Sequence, residues 1–256
     1  WSQADIVGPE GEDWRVPVSE LEARLSLLSD LLAKAGIGGA IIQHPVDLYY
    51  YAGGRQNGSL FVPATGTSAT CESGGDGPTF FVRRSLSRAI FEAGGDNAPL
   101  KLCNFPSMNG FAQHLKDMGA EGSIGLQQGE IPASLYKFFN EKLSLFGDCP
   151  DVTSIIYGQR EVKSAWEIEM LEAGADIQLK MFDAVKEVGC EGITELELVA
   201  AAEAVSRAEG YGGSVQMRRF PMQCDRGVIV AGRAGGIPSF FDSALGGVGA
   251  HPLSSM

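Results

Sequence analysis

The segment 160–170, REVKSAWEIEM, most constrains how this chain folds, because it divides two different sequence patterns. Before it, short apolar runs alternate with helical patterns, and after it two long helical patterns follow each other. Ser164 and Glu167 have the spacing of a capping box, which predicts that a helix begins there. Arg160 and Lys163 precede this helix and can extend back over the preceding segment. The plainest interpretation is a solvated helix start after a linker, with domains at 1–158 and 159–256.

The first domain is predicted to be an α/β domain in which a largely parallel or mixed sheet is flanked by helices. Apolar and β-branched runs predict the strands 37–43, 59–62, 67–71, 79–82, 100–104 and 123–126. Helical periodicity predicts helices from 19 to the glycine at 36 and at 84–93, 107–118 and 132–145, with one helical turn at 47–52. Ser19 and Glu22 make a second candidate capping box. Residues 152–157 are interpreted as a short connector.

The second domain begins with two predicted helices. The first runs over 164–188, and a third capping box, Thr194 with Glu197, begins another that runs to 209. A strand is predicted at 226–231, and residues 232–256 are rich in Gly, Pro and Ser. Two helices and one strand make a poor core by themselves. We therefore expect that this second domain is incomplete in the 256 residues.

Charge and cysteine usage exclude several classes of function. The chain has 20 Lys and Arg against 32 Asp and Glu, a net charge of −12, and no basic block. A nucleic-acid partner is not expected, since that affinity depends on clustered basic residues. No apolar run approaches the roughly 20 residues of a membrane span.

The five cysteines form no CxxC pair, which fits a reducing compartment and a cytoplasmic protein. The first residue is Trp1, so a trimmed N-terminus is expected.

Other common catalytic motifs are missing from the sequence. Cys224 stands beside Asp225, but no histidine partner that would activate a thiol is identifiable. No G-x-S-x-G elbow of a serine hydrolase exists. The glycine runs 232–236 and 246–249 lack the lysine of a phosphate loop and the order of a dinucleotide-binding loop. Both runs are interpreted as loops that close around a substrate or partner.

Three stretches in this order resemble the creatinase and Xaa-Pro peptidase superfamily. HPVDLYYYAGGRQNGSLFVP, residues 44–63, is similar to its N-x-x-YLTG segment, and the three tyrosines of this stretch are interpreted as packing residues. REVKSAWEIEMLEAGADI, residues 160–177, is similar to the R-x-(I/V)-K-S-x-x-E-I start of its catalytic domain. GITELE, residues 192–197, matches G-x-T-E-x-E. The resemblance implies a creatinase-type N-terminal domain followed by the first part of an α+β "pita-bread" metallopeptidase domain.

The resemblance also implies a function. Such a protein hydrolyses the N-terminal bond before proline in a peptide substrate, using two divalent metal ions, Mn, Co, Fe or Zn, that activate a bridging water. The five family ligands, two Asp, one His and two Glu, are expected downstream of Met256. No metal ligand is therefore assigned in this chain, which is expected to be inactive alone. Asp225 and Asp242 fit turn or surface positions better than metal sites.

The resemblance suggests three substrate-binding candidates. Many family members have a His after Pro in the loop that follows the 228–232 strand, where this chain has Ser239, and His251 comes later. This departure puts strict Xaa-Pro dipeptide specificity in doubt. Arg55 follows a Gly-Gly bend and could bind a substrate carboxylate, reaching the active site of a partner subunit in a homodimer.

Two alternatives remain open. The first keeps the fold and changes the chemistry to a creatinase-like C–N hydrolase or a lyase acting on a small zwitterion, which the serine at 239 favours. The second is a non-catalytic pita-bread relative that binds peptides or proteins. The presence or absence of the five metal ligands in the complete protein would separate the second alternative from the enzymes.

Overall fold

A computed structural model of the protein describes residues 13, 15–212 and 229–235. The chain divides into two compact units, Trp1–Val162 and Lys163–Met256. This division lies four residues after the boundary expected from the sequence. Within the described residues, no helix combines the length and apolar character needed to cross a bilayer.

Between residues 15 and 162, all of which are described, the first unit contains five strands and six α-helices. The strands are β1 (Gly39–Ile42), β2 (Gly58–Pro63), β3 (Thr79–Val82), β4 (Lys101–Asn104) and β5 (Ile124–Leu126). The helices are α1 (Val18–Lys34), α2 (Pro45–Ala52), α3 (Leu86–Glu92), α4 (Phe111–Asp117), α5 (Ala133–Lys142) and α6 (Thr153–Glu161). Short 3-10 helices lie at Cys71–Ser73, Gly95–Asn97, Met108–Gly110 and Ser144–Phe146.

The strands form one mixed sheet in the order β4-β3-β2-β1-β5. β2 is antiparallel to both of its neighbours, whereas β1 pairs with β5 and β3 with β4 in parallel. Four strands therefore run in one direction, and their carboxyl ends lie at the same edge of the sheet as the start of β2. The predicted α/β class with a mixed sheet flanked by helices is confirmed.

Both faces of the sheet are covered, because successive strand residues point to opposite sides. Ala40, Ile42, Leu60, Val62 and Phe80 face one core, which also contains Leu28 and Leu32 of α1 and Ile156 of α6. Ile41, Phe61, Phe81 and Leu126 face the other core, with Phe111 of α4 and Phe139 of α5. The result is a three-layer unit whose strands read as continuous apolar runs.

Three local predictions for the first unit are wrong. Helix α1 is capped at its N-terminus by the backbone of Pro17 without a side-chain cap, so Ser19 and Glu22 form no capping box. Residues 67–71 form turns, because the hydroxyls of Thr67 and Thr70 donate to carbonyl oxygens three residues earlier. Residues 152–157 are the start of helix α6 rather than a connector.

The described residues of the second unit form α7 (Ala165–Val188), α8 (Glu195–Ala208) and the short α9 (Gly232–Gly235). Both predicted capping boxes are present: Ser164 Oγ accepts from the Glu167 amide at 3.1 Å, and Thr194 Oγ1 from the Glu197 amide at 3.2 Å. Of the strand predicted at 226–231, residues 226–228 lie outside the described part of the chain, and 229–231 form no strand. Helix α7 exposes large apolar side chains, namely Ile168, Leu171, Leu179 and Phe182.

Replacing Ser164 with Ala should accelerate amide exchange at Glu167. The hydroxyl is the acceptor for that amide, and losing an N-cap costs about 1 kcal/mol, which corresponds to about fivefold faster exchange. The matched control is Ser19→Ala, which should leave exchange at Glu22 unchanged, because Ser19 caps nothing. Hydrogen exchange followed by NMR measures both, and equal effects at the two sites would contradict the assignment of the caps.

Candidate functional site

A buried carboxylate lies where the carboxyl ends of β1 and β5 meet. Asp47, in the first turn of α2, has no exposed surface. Its Oδ1 is 2.6 Å from Arg160 Nη1, and its Oδ2 accepts a hydrogen bond from Gln127 Nε2. Arg160 belongs to the last turn of α6, and Gln127 follows β5 directly. One side chain therefore joins three elements that are far apart in sequence.

Gln127 extends this network to the end of β1. Its Oε1 accepts from the backbone amides of Gln43 at 2.8 Å and His44 at 3.0 Å. The His44 ring lies between two carboxylates, with Nδ1 3.5 Å from Asp47 Oδ2 and Nε2 3.6 Å from Glu130 Oε2. These distances are longer than good hydrogen bonds. The chain between β1 and α2 is thus fixed by a side chain that follows β5.

The end of α6 is fixed a second time through the tyrosines of α2. Tyr51 is fully buried, and its hydroxyl donates to Gln159 Oε1 at 2.8 Å. The ring of Tyr50 lies 4.1 Å from the guanidinium carbon of Arg24 and 5.2 Å from that of Arg160. The packing predicted for the three tyrosines is confirmed for Tyr50 and Tyr51, which are buried, whereas Tyr49 is 43% exposed. The hydrogen bond of Tyr51 is not the local one predicted, because Gln159 is 108 residues away. These contacts make Arg160 part of a rigid junction, whereas the sequence suggested only that it could extend back over the preceding segment.

The Asp47 network is suited to anchoring rather than to acid–base chemistry. Asp47 has no exposed surface and both of its carboxylate oxygens accept hydrogen bonds within the protein, so a substrate cannot reach it to transfer a proton. In the described part of the chain, no group of three or more His, Cys, Asp and Glu side chains could hold a metal ion. Residues described here therefore do not fit a two-metal centre, and none of them is assigned as a ligand.

Two thiols of the first unit, those of Cys103 and Cys149, are kept protonated by burial and are poor nucleophiles. Burial raises the pKa of Cys149 to about 11, so almost none of it is thiolate at neutral pH. Burial also raises the pKa of Cys103, although Lys101 partly opposes the shift. Cys224 lies outside the described residues.

Arg55 lies in an exposed loop between α2 and β2. Gly53 ends α2 in the left-handed conformation with φ of 72°, and a Cβ at Gly54 would overlap the Glu92 carboxylate. The neighbouring Gln56 donates to Glu92 Oε2 at 3.2 Å. Two glycines and this hydrogen bond hold the loop against the end of α3 while Arg55 stays exposed. The other two candidates, Ser239 and His251, lie outside the described residues.

Most of the first unit matches a known protein family. Residues 24–162, more than half of the chain, match the creatinase/prolidase N-terminal domain. This chain belongs to the creatinase/prolidase family. The matched region ends at Val162, where the first unit also ends. None of the curated proteins matches the chain in sequence.

Solved structures of family members share the fold. Prolidase from Pyrococcus furiosus aligns with a TM-score of 0.57 at 24% identity, over 73% of this chain and 54% of that one. Zinc-substituted aminopeptidase P from E. coli aligns with a TM-score of 0.58 at 19% identity, over 77% and 50%. Xaa-Pro dipeptidase from Bacillus anthracis gives 0.58 at 18% identity, over 77% and 50%. The chain spans about half the length of these relatives.

Removing Arg160 should destabilise the first unit strongly. Arg160→Met leaves the buried Asp47 carboxylate without its cation, which typically costs about 3 kcal/mol. Replacing both partners, as Asp47→Leu with Arg160→Met, should restore part of this loss, because no charge is then left buried alone.

The free energy of unfolding, measured in urea, tests this expectation. The control is Arg88→Met, which breaks the exposed pair with Glu92 and should cost under about 1 kcal/mol. If Arg160→Met and Arg88→Met lower the free energy of unfolding equally, the buried pair contributes no more to stability than the exposed one.

Proposed function

We propose that the protein containing this chain is a metal-dependent Xaa-Pro aminopeptidase or dipeptidase, which hydrolyses the N-terminal bond before proline. The match of residues 24–162 to the creatinase/prolidase N-terminal domain carries this proposal. The solved structures that share the fold support it, since they include prolidase, Xaa-Pro dipeptidase and aminopeptidase P. The 256 residues supply the N-terminal domain and the helices that follow it. We also propose that the protein is cytoplasmic.

The proposed cofactor is a pair of divalent metal ions, drawn from Mn, Co, Fe and Zn. When bound, such metals generate a hydroxide nucleophile at neutral pH and polarise the scissile carbonyl. We assign no ligand to the described residues, among which no group of three or more His, Cys, Asp and Glu side chains could hold a metal ion. The contribution of the described residues is to position the Arg55 loop, which is exposed and is held against α3 by Gln56 and Glu92.

We propose that Arg55 binds the carboxylate of a peptide substrate in the active site of a partner subunit of a homodimer. A guanidinium can bind a carboxylate through two parallel hydrogen bonds. The loop that carries Arg55 is fixed at Gly53 and Gln56, so ordering it on binding costs little entropy. The dimer itself is testable by light scattering of the purified protein.

A substrate panel tests the enzymatic proposal. The full-length protein with Mn²⁺ should release free proline from Xaa-Pro dipeptides, and the same peptides with alanine in place of proline should be poor substrates. The 256-residue chain alone with Mn²⁺ should give no turnover. Hydrolysis of creatine instead of any Xaa-Pro bond would replace the proposal with a C–N hydrolase. Turnover by the 256-residue chain would contradict the assignment of no metal ligand to it.

Replacing Arg55 should weaken substrate binding and leave the chemical step nearly unchanged. Arg55→Ala should raise KM for Xaa-Pro dipeptides about tenfold, because a charge-assisted hydrogen bond contributes about 1.5–3 kcal/mol. The KM of Arg55→Lys should lie between those of the wild type and Arg55→Ala, since lysine keeps the charge but loses the planar guanidinium. An unchanged KM in Arg55→Ala, with normal turnover and normal mass in light scattering, would remove Arg55 from the substrate site.

A further inference from the structure

A second arginine site lies at the edge of the sheet where the four like-directed strands end. Arg83 and Arg84 directly follow β3, and Phe105 directly follows β4. In open α/β sheets, ligands bind in the crevice outside the carboxyl ends of the strands. The position of these three residues therefore matches the usual place of a binding site.

The side chain of Arg83 rests on an aromatic platform. Its guanidinium carbon is 3.9 Å from the centre of the Phe105 ring. Phe105 in turn stacks on Phe111, with ring centres 5.1 Å apart and planes inclined by 27°, and Phe111 is fully buried. The Arg83 amide donates to the carbonyl of Asn57 at 2.7 Å, which fixes the backbone as well. A guanidinium that stacks by its face keeps its N–H groups free to bind a carboxylate in its plane.

Neither arginine of this pair is neutralised. Both side chains are exposed, and within the described residues neither Arg83 nor Arg84 forms an ion pair. The acidic side chain on neighbouring α3, Glu92, is already bound by Arg88 and Gln56. Other arginines of the first unit do have acidic partners, namely Arg15 with Asp13, Arg24 with Glu20 and Arg160 with Asp47. In a chain with a net charge of −12, two adjacent uncompensated guanidinium groups are a local exception.

We propose that Arg83, on its platform of Phe105 and Phe111 and with Arg84 beside it, is a carboxylate-binding site for an acidic peptide segment. Two guanidinium groups match one or two carboxylates. A nucleic acid fits poorly, because its affinity depends on many phosphate contacts and two arginines supply only a few. The Arg83 amide is hydrogen-bonded to Asn57, two residues after Arg55, so the two sites are neighbours. Binding at Arg83 requires neither metal nor turnover, so it is tested independently of the peptidase proposal.

The test is NMR titration of the chain with a hexapeptide, Ala-Pro-Glu-Glu-Gly-Gly. Saturable shifts of the Arg83 and Arg84 Nε–H signals are expected. Arg83→Gln should weaken binding about tenfold, as expected for losing a charge-assisted pair. Arg83→Lys should recover only part of the affinity, because lysine does not present the planar fork. Arg83 is exposed, so these variants should fold, and circular dichroism checks this.

Two peptide variants identify the source of the carboxylate. A peptide with both glutamates changed to glutamine tests the acidic side chains, and a C-terminally amidated peptide tests the terminal carboxylate. Loss of binding with the glutamine peptide supports the proposed acidic segment, whereas loss with the amidated peptide alone would replace that segment by a terminal carboxylate and overturn the proposal. The charge-matched control is Lys34→Gln, at the exposed end of α1 near the opposite edge of the sheet. Equal binding of a peptide lacking all carboxylates, or equal weakening by Lys34→Gln, would overturn the proposal.

Discussion

The first unit depends on the buried carboxylate of Asp47. A buried charge is expensive unless it is paired and hydrogen-bonded, and Asp47 meets both conditions through Arg160 and Gln127. The ion pair also constrains the backbone, because Arg160 reaches Asp47 only if α6 ends beside α2. The pair thereby specifies where the last helix of the unit stops. The pair matters more for this geometry than for the free energy of unfolding, since replacing a buried ion pair by apolar groups often leaves stability unchanged.

This geometry has a functional consequence at the edge of the sheet. The chain after β1, the loop before β2 and the chain after β3 all lie along the same edge, because β2 runs opposite to its neighbours. The Asp47 network fixes the β1 side, Gln56 and Glu92 hold the Arg55 loop, and stacked Phe105 supports Arg83. Exposed arginines are thus carried on fixed backbone, the arrangement by which a rigid scaffold positions binding groups.

The sequence predicts the strands and helices well where apolar periodicity is strong, and two of the three capping boxes that it predicts are present. Ser164 and Ser19 have the same local pattern, but Ser164 is itself extended, with φ of −71° and ψ of 168°, and so occupies the N-cap. Helix α1 already begins at Val18, after the N-cap Pro17, so Ser19 lies inside the helix. Residues 67–71 have the β-branched composition of a strand, yet local hydroxyl bonds favour turns there. These failures arise where backbone geometry outweighs residue type.

The Asp47 network could not be predicted from the local sequence, because its partners are 80 and 113 residues away. A single aspartate within the apolar PVDLYYYA segment was the available signal, together with Arg160 before the capping box. Similarly, the stacking of Arg83 requires Phe105 from the neighbouring strand. Contacts between residues of neighbouring strands can be predicted only once the strand order is known.

Hydrogen exchange of an Asp47→Asn variant tests most directly whether this carboxylate fixes the end of α6. The substitution keeps the shape of the side chain and removes its charge, so Arg160 loses its partner. Exchange should accelerate in the last turn of α6 and the first turn of α2, while α4 and α5, on the opposite face of the sheet, keep the wild-type rates. Unchanged rates in α6, or an equal acceleration on both faces, would contradict the role assigned to Asp47.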